Sequence, residues 1–169
     1  MSEPDDARAV TETVYRYATG VDTRDWALYR SIFADDIDID FSSYDGQLAA
    51  GLVPAERWVA RVRPLFSGLA ATQHSMTNPI VNIDPGGDRA TCTMYMQAAH
   101  ALDHGDDNAW FTIGGYYTDR LHRDNPDGPW LIDAVRLTVL WRRGRADIMA
   151  IAAARGAALI NSDPMKSRG

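Results

Sequence analysis

Arg89-Ala90-Thr91-Cys92-Thr93-Met94-Tyr95-Met96-Gln97-Ala98-Ala99-His100-Ala101-Leu102 alternates along its whole length. Ala90, Cys92, Met94, Met96, Ala98, His100 and Leu102 fall on one side, Thr91, Thr93, Tyr95 and Gln97 on the other. A period of two sustained this far belongs to a long strand with one face in a core. Three further β-rich stretches, 71–83, 109–122 and 130–142, flank it. Asp84-Pro85-Gly86-Gly87-Asp88, His104-Gly105-Asp106-Asp107-Asn108 and Asp124-Asn125-Pro126-Asp127-Gly128 separate them, and all three are rich in turn formers. The second half of the chain therefore reads as a meander of four long antiparallel strands.

The first half has a different period. Ala7, Val10, Val14, Tyr17, Ala18 and Val21 recur at helical spacing after a start capped by Asp5 or Asp6, with Gly20 as a stop or bend. A second short helix is expected over about Asp25–Phe33, broken by Asp35-Asp36, and a strand over Ile37, Ile39 and Phe41. Residues 42–51 read as loop, and Pro54 opens a helix that Pro64 should kink or shorten. Residues 146–154 suit a small C-terminal helix, and 156–169 a mobile tail behind a single domain over 5–155. Helices first and long strands after give an α+β fold. Its expected form is a cone-shaped barrel of strongly curved, mixed but mainly antiparallel sheet, with N-terminal helices across the open face. A cone of this size has a pocket at its mouth.

Composition narrows the function. The 169 residues are 46% hydrophobic and 24% charged, with a net charge of −6 and no concentrated basic face, which argues against nucleic acid. The single Cys92 excludes an intramolecular disulfide and a multi-Cys zinc site. No apolar run is long enough for a membrane span, and the acidic start is unlike a signal peptide, so a cytoplasmic protein is expected.

Four side chains carry candidate chemistry: Tyr17 and Asp22 from the helical half, His74 and His100 from the strands. A carboxylate bonded to one imidazole nitrogen fixes the tautomer and raises basicity at the other. Asp22 could do this for His74, Tyr17 could donate to a developing enolate oxygen, and His100 could protonate a departing hydroxyl. The plainer readings stand beside these: satisfied core histidines, a packing tyrosine, and a capping acid. One acid and two histidines are also a non-haem iron ligand set, though here without local spacing. No Gly-rich phosphate loop, GxSxG elbow or HExxH occurs, so no cofactor and no metal is implied.

Tyr17, then Val21-Asp22-Thr23-Arg24-Asp25-Trp26, Phe33-Ala34-Asp35-Asp36 and Thr72-Gln73-His74, with Gly128-Pro129-Trp130-Leu131-Ile132-Asp133 on the last strand, resemble the nuclear transport factor 2-like superfamily, SnoaL-like branch. The resemblance covers about residues 5–145 and implies a cone fold and homo-oligomers, a trimer in preference to a dimer. Scytalone dehydratases are similar at Asp22, His74 and His100, but differ at Val21 and Phe41, where they carry tyrosines. Bile-acid 7α-dehydratases are similar in the spacing of Tyr17 to Asp22 and in an arginine that matches Arg136. The expected substrate contacts are Phe41 and Arg136, from the resemblance, together with Asn78, which shares the His74 face, and Trp110. The implied activity is a cofactor-independent dehydratase acting on a small, apolar, oxygenated hydroxy-ketone, cyclic or polyketide-like. A ketone isomerase or cyclase, a non-catalytic binder and a dioxygenase β-subunit-like scaffold remain alternatives.

Overall fold

A computed structural model describes residues 3–46, 50–104 and 109–162. Helix α1 spans Glu3–Thr23, α2 Trp26–Ser31, strand β1 Phe33–Asp40, β2 Gly51–Pro54, and α3 Ala55–Ser67. The long strands follow: β3 Ala71–Ile83, β4 Arg89–Ala101, β5 Trp110–His122 and β6 Leu131–Gly144, closed by α4 Ile148–Asn161. The six strands form one mixed sheet in the order β2-β1-β6-β5-β4-β3. Only β1 against β6 is parallel. The sheet is bent into a cone with the helices packed on it, but it does not close on itself, because β2 and β3 remain as edges.

The expected meander is present, and the alternation of β4 holds to the residue: Ala90, Cys92, Met94, Met96, Ala98 and His100 are all buried. Phe111, Ile113, Tyr117 and Leu121 of β5 extend that inner layer, and Val10, Val14 and Val21 of α1 belong to the same core. Burying a branched or aromatic side chain of this kind contributes about 1.5–3 kcal/mol.

Several expectations in the helical half are corrected. Gly20 does not stop α1. A Cβ there would lie 2.9 Å from the Cα and Cβ of Tyr29, so the glycine lets α2 fold back onto an unbroken helix. The second helix is shorter than expected and ends at Ser31 with Ile32 as its cap. Asp35 and Asp36 lie inside β1 rather than in a break. Gly51–Pro54, taken for loop and helix start, forms an edge strand against β1. Pro64 sits in the last turn of α3, where the helix ends three residues later. The C-terminal helix runs to Asn161, so the first part of the expected tail is ordered helix. It packs on α3 at a crossing where a Cβ on Gly156 would fall 1.8 Å from the Pro64 carbonyl oxygen. Residues 105–108 of the expected turn His104–Asn108 and 163–169 of the expected tail lie outside the described residues. No helix among the described residues is long and apolar enough to cross a membrane.

Candidate active site

Asp22 sits in the last turn of α1, and His74 four residues into β3. Asp22 accepts from His74 twice: Oδ1 lies 2.7 Å from the ring Nδ1, and Oδ2 lies 2.6 Å from the backbone N. An ionised carboxylate can only accept, so Nδ1 is the donor, and in the neutral ring this tautomer leaves the lone pair on Nε2. Burial works to raise the Asp22 pKa, but the His74 ring and backbone hydrogen bonds and the neighbouring imidazoles outweigh it, and the pKa is lowered. The acid therefore stays charged and holds the ring.

Next to Asp22 the chain turns at Arg24, a non-glycine residue with φ of 59°. Its guanidinium reaches the carbonyl oxygens of Phe66 at 3.1 Å and Leu69 at 2.6 Å. The end of α1 is thus tied to the connection between α3 and β3, the segment that delivers both Phe66 and His74.

His100 lies on β4, opposite Thr72 in the β3–β4 ladder. It is 2% exposed, and its Nδ1 is 2.9 Å from the Thr72 hydroxyl. The two imidazole rings stand 5.7 Å apart, and the Phe66 ring is 5.8 Å from each. Burial first, and the His74 ring second, push the His100 pKa down to about 3, against an opposing pull from Asp22. At neutral pH His100 is therefore uncharged. In that state its ring can donate one hydrogen bond and accept another.

These rings face a small cavity of about 160 Å³, below the about 300–1,000 Å³ usual for drug-sized ligands. Tyr17 lines it, as do Phe41, Trp58, Phe66, Tyr117 and Met149. Tyr17 packs edge-on against Tyr29 and at a tilt to Tyr117, with centroids 5.1 and 5.3 Å away. Burial and those two tyrosines raise its pKa well above the usual phenol value, so it remains a protonated donor. The Trp58 indole N–H donates to the Tyr29 hydroxyl at 3.0 Å, which fixes the layer beneath Tyr17.

The structure brings together Tyr17, Asp22, His74, His100 and Phe41 and separates the other three expected contacts. Asn78 is exposed, with φ of 54°, in an irregularity of the β3–β4 pairing between Thr77 and Ile80. The extra residue there inverts the alternation, so Val81 and Ile83 turn inward and Ile80 outward. Arg136 is inverted in the same way. The β5–β6 register shifts between Arg120 and Leu121, which leaves Val135 and Leu137 inside. Arg136 turns out to solvent and pairs with Asp40 at 3.1 Å. Trp110 precedes the buried Phe111, so alternation puts it on the outer face, 41% exposed. Residues missed by the sequence reading are Thr72, Phe66, Trp58, Tyr117 and Met149. Thr72 was recoverable, since it shares the His74 face two positions earlier; Met149 comes from a helix whose docking has no local signal.

Both oxygens of Asp22 are engaged by His74, and among the described residues no group of three or more His, Cys, Asp or Glu could hold a metal ion. The arrangement is an imidazole oriented by a carboxylate, a protonated tyrosine and a second, buried histidine on apolar walls.

A curved mixed sheet capped by helices over such a pocket defines the nuclear transport factor 2-like class. The chain belongs to the SnoaL-like domain family, whose model matches residues 2–136, a family of small-molecule-processing enzymes and binding proteins. Among solved structures it is similar to the Kfla4162 protein of Kribbella flavida, at 29% identity and a TM-score of 0.79, over 88% of this chain and 99% of that one. A Novosphingobium aromaticivorans protein described as a scytalone dehydratase shares the fold at 14% identity and a TM-score of 0.68, over 82% and 86% of the two chains. A LinA-type3 hexachlorocyclohexane dehydrochlorinase of Novosphingobium barchaimii does so at 19% and 0.63, over 82% and 89%. No curated protein matches the chain.

Proposed function

We propose that the protein is a cofactor-independent hydro-lyase that removes water from a cyclic or polyketide-like hydroxy-ketone. The observation that carries this reading is the Asp22–His74 pair, 2.7 Å apart, on the wall of an otherwise apolar cavity. The free Nε2 of His74 takes the proton from the carbon beside the carbonyl, and the C–H electrons become the enolate. Tyr17, held protonated, donates to the enolate oxygen. As the enolate collapses, the β carbon–oxygen bond breaks. The proton on His74 then passes to the departing hydroxide, so a double bond and one water result. His100, being neutral, holds the leaving oxygen by a hydrogen bond rather than protonating it.

A ketone isomerisation would use the same base and the same returning proton, and the neutral state of His100 favours it as the second reading, because no separate acid is then required. A homo-oligomer, a trimer before a dimer, is part of the proposal; Ile80, Tyr95, Leu140 and Trp141 are exposed apolar side chains available for subunit contacts. Incubating a panel of cyclic β-hydroxy-ketones with the protein tests the reading. Loss of 18 mass units with growth of enone absorbance is the expected result. An isobaric product would establish the isomerase instead, and no turnover with any member would count against both.

A further inference from the structure

The cavity has a charged side chain that the proposed chemistry does not use. Trp58, Val62 and Leu65 line the pocket from one face of α3, at the i, i+4 and i+7 positions of that face. Arg61, at i+3, lines the pocket with them. It is exposed to solvent, which places it at the mouth, whereas His74 and His100 stand on buried walls. An arginine on a helix surface ordinarily finds an acid; Arg30 holds both Glu56 and Asp35 in this way. Arg61 makes no ion pair or hydrogen bond with any described residue.

A second cation lies close by. Tyr44 lines the same pocket, and the Arg142 guanidinium sits 5.6 Å from its ring. Arg142 is held by the backbone oxygens of Ser43 and Tyr44, without an ion-paired acid among the described residues. Asp45 is the acid felt at Tyr44 alongside Arg142. In a chain of net charge −6, two cations without paired carboxylates beside one apolar opening are a local reversal of sign.

We propose that Arg61 selects a substrate that carries a carboxylate, with its apolar ring body in the cavity against the histidines and its acid on the guanidinium at the mouth. This rests on the cavity being the substrate pocket, and it narrows the hydroxy-ketone class to keto-acids. A planar guanidinium presents paired donors that match a carboxylate, and it has no spare partner to give up on binding.

The test compares 2-naphthoate with 2-naphthamide, an uncharged analogue of nearly the same shape, by calorimetry and by quenching of tryptophan fluorescence. The expected result is a preference for the acid of about tenfold at low salt, weakening as salt screens the exposed charge. Arg61→Gln should bring the affinity for the acid down to that for the amide. Arg63→Gln, a change to an exposed arginine outside the pocket, should keep the preference. Equal affinity for the two probes, binding of neither, or a preference that survives Arg61→Gln would each overturn the proposal. His74→Ala separates it from the catalytic reading, because the acid preference should persist in that variant whether or not the wild type turns over a hydroxy-ketone.

Discussion

Helix α1 has an aspartate near each end, and both make two hydrogen bonds to a single residue of the strand region. Asp6 meets Arg123, with Nη1 at 2.6 Å and Nη2 at 3.0 Å. Asp22 meets His74, through the ring and the backbone N–H. Their surroundings differ. Arg123 uses four of its five N–H donors: besides the two to Asp6, Nε donates to the Gly87 carbonyl and Nη1 also to that of Pro126, and the guanidinium lies 4.7 Å over Trp130. Both side chains of that pair are under a tenth exposed, and neither lines the cavity. His74 instead keeps one ring nitrogen without a partner among the described residues, on the wall of a cavity. A tight charged pair alone does not mark a site. A pair with an unused valence facing empty apolar space does.

The contrast can be broken from either end. Asp6→Asn leaves a buried guanidinium without its anion and should cost about 3–5 kcal/mol of folding stability, read from the denaturant midpoint. The fraction that stays folded should retain its turnover. Asp22→Asn should do the reverse. The amide still accepts from the His74 backbone N–H, so stability should change by no more than about 1 kcal/mol, while kcat falls about 10²–10⁴-fold as the imidazole loses its fixed tautomer.

Two smaller effects follow from buried titratable groups. His100 has its pKa depressed in the fold, so the unfolded chain takes up a proton first as pH falls. Stability present above about pH 6.5 is lost progressively toward pH 3, by about 2 kcal/mol at pH 5. His100→Asn should flatten that acid limb in melts between pH 7 and 5. Asp119 has the opposite sign. It is 2% exposed, faces the core beside Cys92, and one of its oxygens has no partner. Burial raises its pKa well above the usual carboxylate value, so its contribution is fully present below about pH 4 and declines as pH rises. Asp119→Asn should gain about 1–2 kcal/mol at pH 8 and nothing at pH 4, measured by thermal denaturation.

The same contrast explains what the sequence could reveal. Alternation over Arg89–Leu102 located the inner face, and with it His100, because no irregularity interrupts β4 between Arg89 and Ala101 in its pairing with β5. His74 was legible because it precedes the irregularity in β3. Asn78 and Arg136 were misplaced because a period of two was carried across a register shift. For Asn78 the warning was present: Asn78-Pro79 inside a strand combines a residue that tolerates positive φ with one that cannot donate to the ladder. For Arg136 no comparable signal exists, since its shift is set by pairing with β5. Gly20 read as a break because its partner, Tyr29, is a neighbour only after α2 folds back. The second layer of the site, Thr72 to His100 and Trp58 to Tyr29, depends on contacts between elements and carries no local pattern.

The central claim is that Asp22 holds His74 as a base aimed at a carbon-bound proton. Hydrogen–deuterium exchange beside the carbonyl of a hydroxy-ketone that the wild type turns over, followed by proton NMR in heavy water, tests it without reference to the leaving group. The expected result is exchange or elimination accelerated by the wild type and reduced to background in both Asp22→Asn and His74→Ala, with each variant still folded. Exchange at the wild-type rate in those two variants would contradict the account.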